Sequence, residues 1–181
     1  LLASSQFDQT YLNVASNLDS IGSYIRAGGT WVVNYSRRYD LDLLPGAEDV
    51  VFVSDYGEGI DVLAPASGLV TGPGGTIDDS TLDRGIRYGF TRSALPAGAT
   101  AILSTNNASQ VVAFDYPLGL GQVVVHTIAV EFYDDGSHPI GEVFHPNLFA
   151  FAGTFRDTGD FLLADDLFLT VLPPCGSISV A

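Results

Sequence analysis

A chain of 181 residues that is 46% hydrophobic and only 15% charged suits one domain with a single substantial core, and is too apolar for disorder. Its 21 acidic residues against 7 basic ones give a formal net charge of −14, a field that argues against nucleic acid and anionic membrane surfaces as partners. No window holds the roughly 18 uninterrupted apolar residues of a membrane-spanning helix, so no membrane insertion is expected.

Every basic residue is an arginine, and lysine and methionine are absent. Such an acidic surface suits an exported or salt-adapted protein, and an extracellular or cell-surface location is expected. The single cysteine, Cys175, excludes an internal disulfide. With no initiator methionine and an apolar opening, Leu1-Leu2-Ala3, the chain reads as a processed or excised part of something longer.

Leu1–Ala3 has the character of a strand end, and Asp8 or Thr10 can cap the helix that follows. Tyr11, Val14, Ala15, Leu18, Ile21 and Ile25 recur at helical spacing and form one apolar stripe. Gly28 supplies the left-handed position at the helix end, and Trp31, Val32 and Val33 form the next strand. Residues 1–35 therefore read as a right-handed βαβ unit.

Arg37–Ala47 is polar and turn-rich, and Asp49–Ser54 gives a short strand. Asp55–Asp79 shows little periodicity and many turn signals, ending in Gly72-Pro73-Gly74-Gly75, and reads as a long ordered excursion. Strands follow at Ala101–Ser104, Gln110–Asp115 and Gly121–Val130, the last two joined by a connection short enough for a hairpin at Val111–Val130. Gly141–Gly153 returns to helix. Phe161–Leu163 and Leu167–Leu172 form a closing pair of strands, stopped by Pro173-Pro174.

Five segments, in order, carry a family resemblance: Tyr24–Tyr35 (YIRAGGTWVVNY), Leu69–Ile77 (LVTGPGGTI), Leu95–Ala99 (LPAGA), Val111–Val125 (VVAFDYPLGLGQVVV) and Asn147–Ala152 (NLFAFA). In them the chain resembles flavodoxin-like domains of the class I glutamine-amidotransferase-like superfamily, in particular bacterial members that are parts of large exported proteins. The resemblance implies an α/β, three-layer flavodoxin-like fold with a mainly parallel sheet, to which the β-hairpin and a C-terminal strand extension are added. It covers residues 1–152, implies an upstream strand and helix ahead of Leu1, and leaves 153–181 as a C-terminal β extension of the same domain.

Amidotransferases of this superfamily use a cysteine on a strand-to-helix elbow, activated by a histidine that a carboxylate orients. Cys175 stands in Pro-Pro-Cys-Gly-Ser near the C-terminus, where no helix follows, and does not match that elbow. Phe144-His145-Pro146 resembles the family's His-Pro-Glu segment, but Asn147 occupies the carboxylate position. The catalytic cysteine is lacking, and glutaminase chemistry is not expected.

Ligands of doubly wound sheets collect beyond the carboxyl ends of the strands. Ser4, Ser5, Asn34, Tyr35, His126 and Glu131 are the polar residues expected near that edge, and a Ser–His–Glu set from Ser4 or Ser5, His126 and Glu131 is the candidate catalytic group for acyl transfer. His126 nevertheless lies in a β run, where a satisfied core histidine is the usual finding. Asp134, Asp135, Asp157 and Asp160, with Asp165 and Asp166, supply oxygens for calcium without the EF-hand spacing. A zinc site from His126, His138 and His145 has no recognisable spacing, and Gly72–Gly75 lacks the context and lysine of a phosphate loop.

The functional expectation is a non-catalytic structural or interaction domain of a secreted or cell-surface acidic bacterial protein. A hydrolase with a serine or metal site at the sheet edge is the first alternative, and a calcium- or carbohydrate-binding module the second. Self-association through edge strands, or contact with other domains of a longer polypeptide, completes the expected partners. No cofactor other than calcium is expected.

Overall fold

The computed structural model describes residues 15–35, 44–54, 59–82, 88–128 and 138–155, with the strand backbones at 161–164 and 169–171. Helix α1 (Leu18–Arg26) leads into strand β1 (Thr30–Asn34). Short strands β2 (Phe52–Val53), β3 (Ile60–Val62), β4 (Thr71–Gly72), β5 (Gly75–Thr76) and β6 (Gly89–Thr91) follow. Longer ones come next: β7 (Thr100–Thr105), β8 (Gln110–Leu118) and β9 (Gly121–His126). A π turn, Ile140–Phe144, opens helix α2 (His145–Thr154), and β10 (Phe161–Ala164) and β11 (Leu169–Val171) come last.

Nine of these strands form one sheet, running β11-β10-β1-β9-β8-β6-β2, with β7 also paired to β8 and β3 to β7. β1 is parallel to both of its neighbours, β9 and β10. Every other pairing in the sheet is antiparallel. The three-layer, mainly parallel flavodoxin-like sheet is thus corrected to a mixed, mostly antiparallel one, with only two short α-helices among the described residues.

For β7–β8, β8–β9 and β10–β11 the shortness of the connections decides the direction. A parallel pair needs a crossover of a dozen or more residues, whereas an antiparallel pair closes with a tight turn. β8 and β9 are joined by Gly119-Leu120 alone, with Leu118 opposite Gly121, so they can only form a hairpin. The right-handed βαβ unit expected over residues 1–35 begins at Leu1–Ala3, outside the described residues. The parallel partners that β1 does show lie far along the chain.

All five β1 residues are buried, as a central strand covered on both faces requires. Trp31, Val33 and Tyr35 share one core with Ile21 and Ile25 of α1 and with Val111, Phe114, Val123 and Val125. Val32 faces the other core, with Val112, Val124, and Leu148 and Phe151 of α2. One helix therefore seals each face of the sheet. Full burial of a large apolar side chain contributes about 1.5–3 kcal/mol.

α1 ends in a Schellman motif. The Gly28 N–H donates to the Ile25 carbonyl at 2.9 Å and the Gly29 N–H to the Tyr24 carbonyl at 3.1 Å, with Gly28 at φ 109°. The β8–β9 hairpin then closes on this corner. The Leu120 N–H donates to the Arg26 carbonyl and the Gln122 N–H to the Gly29 carbonyl, both at 3.1 Å. A Cβ on Gly121 would collide with the Ile25 and Gly29 carbonyl oxygens, and one on Gly119 would stand 2.7 Å from the Arg26 Cα.

Gly121→Ala is accordingly expected to destabilise the domain by about 2 kcal/mol or more, because the alanine methyl meets backbone oxygens that cannot step aside. Gly153→Ala, where an added Cβ meets nothing within 4 Å, should leave stability unchanged or slightly raised. Urea denaturation of the two variants checks both.

Candidate functional site

The carboxyl ends of β1 and β9 lie side by side, with Asn34 in register with His126. Strand alternation puts both residues on the face of Val32 and Val124, the α2 side. The Tyr35 N–H donates to the His126 carbonyl at 2.6 Å and ties the two strand ends together. Tyr35 itself belongs to the opposite core, where its ring meets Phe90 edge-on at 5.7 Å. The sheet therefore separates Asn34 and Tyr35, which the sequence had placed at one edge.

His126 is 3% exposed, and its imidazole meets the Phe144 ring edge-on at 5.2 Å. Among the described residues Nδ1 has no hydrogen-bond partner. Burial lowers its pKa to about 3, the charge of His145 adds to the effect, and a backbone hydrogen bond with Ile128 works against it. The ring is a neutral core imidazole at any ordinary pH.

His145, at the start of α2, is half-buried and packs between the rings of Phe144 and Phe149, at 6.5 and 6.3 Å. His138 acts on its own loop, where its Nδ1 accepts the Ile140 N–H at 3.2 Å, at the start of the π turn. Among the described residues no three His, Cys, Asp or Glu side chains converge to hold a metal ion. Ser4, Ser5, Glu131, Asp134, Asp135, Asp157 and Asp160 lie outside the described residues, as do Asp165, Asp166 and Cys175.

Asn147, at the position of the resembled carboxylate, is fully buried. Its Nδ2 donates to the carbonyls of Gly75 at 3.0 Å and Leu69 at 3.3 Å, and its Oδ1 accepts the Gly74 N–H at 2.9 Å. The glycine-rich segment is the β4–β5 hairpin, with Thr71 opposite Thr76. A Cβ on Gly72 would stand 2.6 Å from the Asn147 Oδ1, and one on Gly74 would meet the Val143 carbonyl. The glycines are there so that this hairpin can reach α2, and the Gly74 N–H that a phosphate would need is already occupied.

Sequence reasoning passed over Asp115. It is 7% exposed on β8, and Gln122 Nε2 donates to its carboxylate. Burial raises its pKa and the Gln122 hydrogen bond opposes the rise. The available signal was an aspartate inside the otherwise apolar run Val111–Tyr116.

Comparison with known protein families finds no match, and no curated protein matches the chain either. A solved structure from Salmonella typhimurium, described as a cytoplasmic protein, is similar at 16% identity and a TM-score of 0.48. The similarity covers 74% of this chain and 59% of that one, so the chain spans less than two thirds of that protein's length. That protein's description as cytoplasmic differs from the extracellular or cell-surface location expected of this chain from its composition.

Two substitutions separate the roles of these side chains. Asn147→Asp keeps the acceptor for the Gly74 N–H but turns a carboxylate toward two carbonyl oxygens, while Asn147→Leu removes all three hydrogen bonds. Both should cost about 3 kcal/mol or more, measured by urea denaturation, although the aspartate would restore the carboxylate of the His-Pro-Glu pattern.

For His126 the sign follows from its lowered pKa. Above the ordinary histidine value of 6.5 both folded and unfolded forms are neutral and pH has no effect through this group. Below it the unfolded chain takes up a proton that the folded one refuses, so stability falls as pH falls, by at most about 1.4 kcal/mol per unit. Asp115 acts in the opposite sense, since its raised folded pKa makes stability fall as pH rises through the carboxylate range. His126→Phe should remove the contribution of this group to the pH dependence, read as the difference between wild-type and variant unfolding free energies across pH 7.5 to 5.

Proposed function

We propose that this domain is a non-catalytic structural or interaction domain. The supporting observation is the state of His126. A general base works best with a pKa near the operating pH and within hydrogen-bond reach of its substrate, whereas this imidazole is buried under Phe144 with its pKa lowered to about 3. On α2, Asn147 braces the β4–β5 hairpin at the position where the resembled His-Pro-Glu segment has the carboxylate that orients a catalytic histidine. The interaction part of the reading draws on α2, which carries no Asp, Glu, Lys or Arg and leaves Phe149 44% exposed.

The test is hydrolysis of a panel of chromogenic acyl esters by the purified domain and by its His126→Phe variant. Equal, buffer-level rates for both are expected. Turnover by the wild-type domain that drops a hundredfold or more in His126→Phe would overturn the reading in favour of a serine hydrolase.

A further inference from the structure

We draw no further inference here: the strongest candidate, the outer face of α2 around the exposed Phe149 and the His145 ring packed on it, is an unpartnered apolar strip, and nothing in the structure shows what covers it.

Discussion

The tightest constraint in the molecule is the backbone-to-backbone contact between the end of α1 and the β8–β9 hairpin. A helix end leaves carbonyls without partners, and here the Schellman turn takes those of Tyr24 and Ile25 while the hairpin takes that of Arg26. The contact is possible only because Gly119 and Gly121 bring no side chain to it. It sets the height of β9 against β1, and so the register that puts Asn34 beside His126. The division of the apolar residues between two cores then follows from strand alternation alone.

The two faces are held differently. On the α1 side an aromatic chain runs through the core: Tyr35, Phe90, Phe114 and Tyr116 form a series of edge-on and stacked rings, and the Tyr116 hydroxyl donates to the Pro45 carbonyl at 3.0 Å. Burial, with the charge of Glu48 adding to it, holds the Tyr116 phenol well above its ordinary pKa. On the α2 side an aliphatic core is joined to a polar brace, Asn147, that reaches a separate small hairpin. At the carboxyl end of β9, where an α/β enzyme would place its chemistry, the Phe144 ring packs on His126.

What could be read in the sequence was local. Leu18, Ile21 and Ile25 at helical spacing, two glycines and an apolar run are enough to locate the end of α1, its Schellman turn and β1, whereas the single helix expected from Tyr11 onward is broken at Asn17, and Ala15 of its stripe is exposed. The Pro-Leu-Gly-Leu-Gly connection likewise announces the β8–β9 hairpin. Strand direction was not legible in this way. A buried apolar run such as Trp31–Val33 looks the same whether its partners are parallel or antiparallel, and the β9 and β10 partners lie far off in the chain. Motifs such as LPAGA and NLFAFA describe packing and turns, which different sheets share, so they implied a parallel framework that the strand pairing does not have. Ile60–Val62 was lost inside the long turn-rich excursion because three residues show no periodicity.

The site was legible only in part. His126 within an apolar strand has the pattern of a core histidine, and the core is where its ring lies. Nothing local announces that Asn147 and the Gly72–Gly75 turn meet, since the contact spans more than 70 residues. The same holds for Asp115 and Gln122, which sit close in sequence but are brought together by hairpin geometry.

The Asn147 brace also bears on how such a chain can vary. Gly72, Gly74 and Asn147 are three positions but one unit of inheritance: a side chain at either glycine displaces a group on or beside α2, and without the asparagine the hairpin loses its anchor. Single-step replacement at any of the three passes through a weakened intermediate, so the positions should change together or stay. In distant sequences this joint pattern of glycines and asparagine is a better marker of shared architecture than a lone cysteine or histidine, because it records a contact and not a reaction.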